Sequence, residues 1–390
     1  MYAGTKQPSA SAVETFDAAG DTSGTRQGRA VATSASPLEE TADALVERIF
    51  EASLATFDIF AIYLGDRLGY YAALCDNGPL TSQQLAELSD THERYTREWL
   101  EQQAVSGFIT ADTGREGPTV FSIPSGHAEA LTHELSLSYI APLARMISVA
   151  GFKLPDIVEA HRRGGGISWD AFGDEMRESQ GAMNRPAFAN LLTQEWFSSV
   201  PDLDSKLASG ARVADIGCGF GWTSIALAAG YPNAVVDGFD LDGPSIAAAR
   251  EHADEAGIAD RAVFHQVDAG DPIVDGNYDV VAAFECIHDM PDPVSALRTM
   301  RRLVADDGMV VVMDERVGEA FDPDADEIEQ LMYGFSNFIC LPDGLSTEGS
   351  VGTGTVMRPN TLRRYAEEAG FADIEVLPIE ADFWRFYRLI

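Results

Sequence analysis

Arg212-Val213-Ala214-Asp215-Ile216-Gly217-Cys218-Gly219-Phe220-Gly221-Trp222 is the stretch on which the reading of this chain turns. A short apolar run enters a Gly-x-Gly-x-Gly loop, and Thr223 to Ala229 continue with helical character. The glycines permit positive φ and let a ligand come close to the backbone. A helix that begins there offers free N–H groups and a partial positive charge, suited to a ligand carboxylate. Dinucleotide enzymes also use a glycine-rich loop, so the loop alone is weak evidence. Here the spacing is Gly-x-Gly-x-Gly and not Gly-x-Gly-x-x-Gly, and Asp215 stands directly ahead of it.

Downstream, a strand over Ala234–Phe239 ends in Asp240, placed to accept hydrogen bonds from two ribose hydroxyls. Val263 to Ala269 form a third strand, closing on Asp268. Tyr278–Phe284, Met309–Met313 and Phe383–Leu389 supply further strands, separated by helical patterns. Such alternation predicts a mostly parallel α/β sheet that binds its ligand at the carboxyl edge. Taken alone, each acid is equally an ordinary strand-end or helix-capping residue. As a set they are more specific.

Upstream the pattern differs. Residues 1–37 are rich in Ala, Ser, Thr and Gly without aliphatic periodicity, which predicts a disordered tail. Ser36 and Pro37 form a helix-start signal, and apolar residues recur at helical spacing from Leu45 to Leu74. A helix over Thr91–Val105 and two short extended pieces, near Phe108–Thr110 and Val120–Ile123, complete a winged-helix pattern over 38–138. A helical connector over 139–200, broken at Gly164-Gly165-Gly166 and expected to cover the active site, then leads to the α/β domain, 201–390.

The strand, loop and acid set resembles the class I S-adenosylmethionine (SAM)-dependent methyltransferases. That resemblance implies a seven-stranded Rossmann-like sheet whose last strand runs antiparallel. It also implies that Asp215, Gly217, Cys218, Gly219 and Gly221 face the methionine part of SAM. Asp240 would hold the ribose, Leu241 would pack on the adenine face, Asp268 would meet the adenine amino group, and Ala269 would also contact the cofactor. Phe284 and Glu285 would lie beside the transferred methyl. Small-molecule O-methyltransferases often read His-Asp-Trp after this strand, with the His as general base. This chain has His288-Asp289-Met290, so the His matches and the Trp does not. An imidazole suits the removal of a hydroxyl proton during attack; the alternative is that His288 only hydrogen-bonds its loop.

The whole chain is similar to a bacterial and archaeal group of winged-helix methyltransferases, some described as transcriptional regulators. Arg94-Tyr95-Thr96-Arg97-Glu98-Trp99-Leu100, Asn184-Arg185-Pro186 and Gly354-Thr355-Val356-Met357-Arg358-Pro359 carry that similarity, with the ending Phe383 to Leu389. The resemblance implies a homodimer formed through the N-terminal domain. Asn184, Arg185, Tyr333, Ser336, Asn337 and Arg358 are the candidate acceptor-site residues; for Tyr333, as for Phe338, core packing is the alternative. Asp289, Asp314 and Glu315 do not by their order make an oxygen cage, so no metal is expected.

Composition bounds the partners. With 62 Asp and Glu against 27 Lys and Arg, the net charge is −35. Such self-repulsion is relieved by salt, which points to a saline cytoplasm as in halophiles; an acidic chain from a GC-rich genome is the alternative. Glu93, Glu98 and Glu101 surround Arg94 and Arg97 on the would-be recognition helix, so nucleic acid is not an expected partner. The rivals to a methyltransferase are a SAM-sensing regulator, a nicotinamide oxidoreductase and an inactive scaffold. No signal peptide or membrane-spanning run is apparent, which predicts a cytoplasmic protein. The four scattered cysteines give no metal-ligand spacing.

Overall fold

The computed structural model describes residues 40–114, 117–268 and 276–390. The disordered-tail expectation for 1–37, the Ser36–Pro37 helix start and Ala269 lie outside the described residues. The chain falls into two units, Met1–Ser53 and Leu54–Ile390. In the first, the described residues open a helix, Ala42–Arg67, where the Thr41 hydroxyl accepts from the Ala44 N–H. Its Val46, Ile49 and Phe50 are exposed.

The second unit begins with the remainder of that helix and a winged-helix arrangement. Helices Tyr70–Asn77, Ser82–Leu88 and Glu93–Val105 precede strands β1 (Thr110–Asp112) and β2 (Val120–Ser122), which pair antiparallel. Thr81 and Gln84 form a reciprocal capping box that fixes where the second of these helices begins. Tyr70, Tyr71, Leu74, Leu85 and Leu100 are buried with Trp99, whose indole N–H donates to the Ala61 carbonyl at 2.8 Å. Tyr95, one turn from Trp99, faces outward and is 78% exposed.

Residues 139–200 are helical, as their pattern predicts, with Asp174–Asn190 the longest helix. Beyond them comes one seven-stranded sheet. Its strands are β3 (Arg212–Ile216), β4 (Val235–Asp240), β5 (Ala262–Gln266), β6 (Tyr278–Phe284), β7 (Val304–Glu315), β8 (Ile374–Val376) and β9 (Trp384–Leu389). Their order across the sheet is β5-β4-β3-β6-β7-β9-β8. β9 runs antiparallel to both neighbours, and the other pairings are parallel.

Strand sequence explains the layering. Val280 and Ala282 face one hydrophobic layer with Leu227 and Ile246, while Val281 and Ala283 face the other with Leu297 and Leu362. A sheet covered on both faces needs apolar residues at every central position, so β6 reads as a continuous apolar run. The chain order reverses between β3 and β6. That switch point opens a crevice at the carboxyl ends of these two strands, the usual ligand position in such sheets.

Candidate active site

The loop after β3 and the loop after β6 flank this crevice. Gly217 and Gly221 adopt φ of 70° and 77°. A Cβ on Gly217 would lie 2.6 Å from the Cys286 sulfur, and one on Gly221 2.6 Å from the Phe264 ring. Neither position accepts a side chain, because conformation and space both forbid it. A Cβ on Gly219, by contrast, would meet nothing within 4 Å, so the backbone there borders open space.

Asp240 ties the loop to β4. Its two carboxylate oxygens accept the Gly219 and Asp242 N–H groups, both at 2.8 Å. Burial raises its pKa, and those N–H groups work against the rise. Asp215 takes a different place. It is buried under the loop, where one oxygen accepts the hydroxyls of Thr223 and Ser224 at 2.5 and 2.6 Å. Its other oxygen has no hydrogen-bond partner. Desolvation pushes its pKa up to about 6 against those hydroxyl bonds.

A cavity of about 2080 Å³ fills the crevice. Gly217, Cys218, Gly219, Asp240, Leu241, Asp268, Phe284, Glu285, His288 and Asn184 line it. Asp215, Gly221, Arg185, Tyr333, Ser336, Asn337 and Arg358 do not. Asp215 and Gly221 support the loop from below, where a helix start and a close packing contact need them. Arg185 lies 4.2 Å over the Trp222 ring and pairs with Glu134. The Arg358 guanidinium bonds Glu329, the Tyr333 hydroxyl and the Gly318 carbonyl, which holds it away from the cavity. Ser336 is buried against Gly354, and Asn337 is exposed.

At the far end of β6 and β7 stands a buried imidazole among acids. His288 is 2% exposed. Its Nδ1 donates to Asp314 Oδ1 at 3.0 Å, and Glu315 Oε2 lies 3.1 Å from the same nitrogen. Nε2 faces Asp289 Oδ1 at 3.3 Å. Burial by itself would lower the His288 pKa, but Asp289, Glu315 and Asp314 outweigh it and hold the group well above the usual histidine range. Glu285 sits nearby in a left-handed conformation, φ 50°, and accepts hydrogen bonds from the Trp384 indole and the Asn184 amide. Desolvation and the neighbouring Glu315 raise its pKa. Among the described residues, two ligand sets lie close enough to hold a metal, His288 with Asp314 and Glu315, and His288 with Asp289 and Cys340. Both would draw on the same imidazole.

Sequence reasoning missed several of these neighbours. Phe188, Trp384, Phe335 and Asp343 line the cavity although they lie far apart in the chain. Arg177, whose side chain is only 3% exposed, also escaped notice. It makes two 2.8 Å bonds to Asp242 and so fastens helix Asp174–Asn190 to the end of β4. Pro186 lies inside that helix, and a π-helical turn follows at Leu192–Trp196.

The donor set fits SAM. The loop that presents bare backbone at Gly219, the carboxylate of Asp240 and the exposed Leu241 side chain together border one end of the cavity, and an unpartnered Asp215 oxygen lies beneath the loop.

Comparison with known proteins agrees with this geometry. Residues 207–360 match the family described as "Methyltransferase domain", and residues 57–133 the "Rv2258c-like winged HTH domain". A 27-O-demethylrifamycin SV methyltransferase of Amycolatopsis mediterranei is 27% identical over 187 residues, 45% of this chain and 68% of that protein. A ubiquinone biosynthesis O-methyltransferase of Pseudomonas aeruginosa is 38% identical over 104 residues. The match spans 26% of this chain and 43% of that enzyme. Among solved structures, human N-acetylserotonin methyltransferase in complex with SAM superposes with a TM-score of 0.65 at 16% identity, over 91% of this chain and 99% of that one. An O-methyltransferase family protein of Burkholderia thailandensis gives 0.63 at 15% identity, over 88% and 97%. At such identities the superpositions speak for the fold.

Proposed function

We propose that this chain, a SAM-dependent methyltransferase with an N-terminal winged-HTH region, methylates a hydroxyl oxygen of a small organic acceptor. SAM supplies an electrophilic methyl group when bound. Gly217, Cys218, Gly219, Asp240, Leu241 and Asp268 would hold it, with Asp240 on the ribose. His288 takes the acceptor proton through Nε2, while Asp314 fixes Nδ1 as the donor and so leaves Nε2 free to accept. The pairing of His288 with Asp314 inside the cavity wall is the observation that carries this reading. The O-methyltransferase relatives support oxygen as the acceptor atom. We take no metal to be needed, since the imidazole supplies the base.

The connector, 139–200, acts as the cover of the site, with Asn184 on the acceptor side. We further propose a homodimer built through 38–138, on the apolar side chains of Leu54, Phe57, Phe60 and Leu64, each at least 39% exposed. A DNA-binding role is disfavoured by helix Glu93–Val105, where Glu98 and Glu93 already pair with Arg94 and Arg97. Among the described residues no helix is long and apolar enough to cross a membrane; a saline cytoplasm remains the setting that best suits the charge.

The test is methyl transfer from SAM to a panel of phenols, followed by mass spectrometry, with His288→Ala alongside. The expected result is a methyl ether formed by the parent protein, with turnover lowered by about 10²-fold or more in the variant. Equal turnover in both would remove His288 from the chemistry.

A further inference from the structure

His288 Nε2 and Asp289 Oδ1 lie 3.3 Å apart, yet among the described residues this buried oxygen has no hydrogen-bond partner. Nδ1 carries the hydrogen given to Asp314, so the neutral imidazole presents a lone pair at Nε2. Two electron-rich atoms held side by side at that distance repel each other unless a cation bridges them. Cys340 supplies a third such atom. Its sulfur, the imidazole and the Asp289 carboxylate offer ligand atoms within 4.8 Å of one another. Cys340 closes the π-helical turn Ser336–Cys340, a backbone form frequent at functional sites.

The three groups have the chemistry and the dimensions of a zinc site. Imidazole nitrogen, carboxylate oxygen and thiolate sulfur are the ligands zinc takes, in tetrahedral geometry. With zinc–nitrogen and zinc–oxygen bonds of about 2.0–2.1 Å, the N···O edge of that tetrahedron is about 3.3–3.4 Å, which is the separation of His288 and Asp289. The surroundings agree. A histidine that binds metal through one nitrogen usually donates its other N–H to a carboxylate, as His288 does to Asp314. Thr355 is 1% exposed, and its hydroxyl, without a partner among the described residues, lines the same cavity and acts on the Cys340 thiol. The Gly354 N–H donates to the His288 carbonyl at 3.1 Å, which holds the Thr355 segment against the imidazole loop. All three ligands line the cavity, so an ion reaches them from it. Burial pushes the Cys340 thiol up to about 12. A bound zinc ion deprotonates a coordinating thiol, and the proton leaves to solvent. The second set, His288 with Asp314 and Glu315, fits less well, because it meets Nδ1, whose hydrogen is already committed, and it offers no sulfur.

We propose that His288 Nε2, Asp289 and Cys340 bind a zinc ion, and that the ion silences methyl transfer by occupying the lone pair the base needs. The silencing rests on the reading of His288 as base; the binding of the ion does not. Three protein ligands leave a fourth position for water, the pattern of an open and exchangeable site. The metal-free chain is then the active form, and zinc is a reversible inhibitor that competes with the acceptor proton for one nitrogen.

The experiment uses the full chain, stripped with EDTA, dialysed and saturated with S-adenosylhomocysteine. Cobalt(II), which reports thiolate ligation by a near-ultraviolet charge-transfer band, is titrated without oxygen and then displaced with zinc. The band is expected to saturate at one equivalent, to vanish in Cys340→Ser and to remain in Cys75→Ser, with S-adenosylhomocysteine affinity as the folding control. No band in the parent protein, or a band that survives Cys340→Ser, overturns the site. In turnover, saturating zinc should lower methylation of a phenol by about 10²-fold, the contribution of a positioned base, and EDTA should restore it. Relative to its own zinc-free rate, Cys340→Ser should need at least about tenfold more zinc for the same loss. Turnover that zinc leaves unchanged or raises overturns the silencing. The two readings fail separately. A cobalt band with no methylation of any phenol would keep the metal site and refute the hydroxyl acceptor; phenol methylation indifferent to zinc, with no band, would do the reverse.

Discussion

His288 Nδ1 lies 3.0 Å from Asp314 Oδ1, across the carboxyl ends of the neighbouring strands β6 and β7. Both side chains are at most 2% exposed. The contact joins a loop residue to a strand residue 26 positions later, and it sets which imidazole nitrogen carries the proton.

The rate should therefore depend on pH in a direction fixed by these acids. A base acts when deprotonated, and Asp289, Glu315 and Asp314 hold the His288 pKa well above the usual histidine range after overcoming the effect of burial. We expect log kcat/KM to rise through neutrality and level off only in the alkaline range. Asp314→Asn removes one of the charges that raise the pKa, so its profile should level off at lower pH with a lower plateau. A profile flat from pH 6 to 9 in the parent protein would contradict this.

Asp240→Ala should abolish the loop contacts at Gly219 and Asp242 together. Hydrogen bonds to a charged acceptor contribute about 1.5–3 kcal/mol each. SAM affinity, read by calorimetry, is expected to fall by at least about tenfold while the far-ultraviolet spectrum stays that of the parent. Unchanged affinity would place the ribose elsewhere.

Arg177→Met removes the link between helix Asp174–Asn190 and the end of β4. Three carboxylates lose their partner, of which Asp242 also caps helix Gly243–Glu255. Breaking one side of a buried pair typically costs about 3–5 kcal/mol; two of the three carboxylates here are largely exposed, so a smaller loss is expected. Hydrogen exchange should speed up in Asp174–Asn190 before it does in β3 or β6. Uniform exchange across all three would rule out a local anchor.

Phe57→Glu places a charge on the exposed apolar face of helix Ala42–Arg67. If that face joins two copies, sedimentation should move from a dimer toward a monomer. A parent protein that sediments as a monomer at micromolar concentration would remove the dimer.

Salt should stabilise the chain. Acids on its surface repel one another, and the Debye length shortens from about 10 Å at 0.1 M to about 3 Å at 1 M. Tm is expected to climb between 0.1 M and 2 M KCl. A Tm that stays level would leave the acidic composition without a link to salinity.

The sheet and its ligand edge were legible in the sequence because both rest on local rules. Apolar strands, glycines that alone tolerate positive φ, and acids at strand ends are contiguous signals, and β3, β4 and β6 with Asp240 and His288 follow from them. The acceptor side was legible only in part. Arg358 and Tyr333, chosen from their stretches of sequence, bond each other outside the cavity, where Arg358 also bonds Glu329, whereas Trp384, Phe188, Asp343 and Arg177 come to the site from far along the chain. Asp215 shows the same division: its position before the loop is a sequence fact, but its burial under Thr223 and Ser224 is not. Periodicity and backbone conformation are written residue by residue, so the sequence by itself determined the layers, the loop and the cofactor edge. Which side chains share a dielectric, and so whether His288 meets one acid or three, depends on how β6, β7 and the cover pack, and the tertiary structure alone decided that.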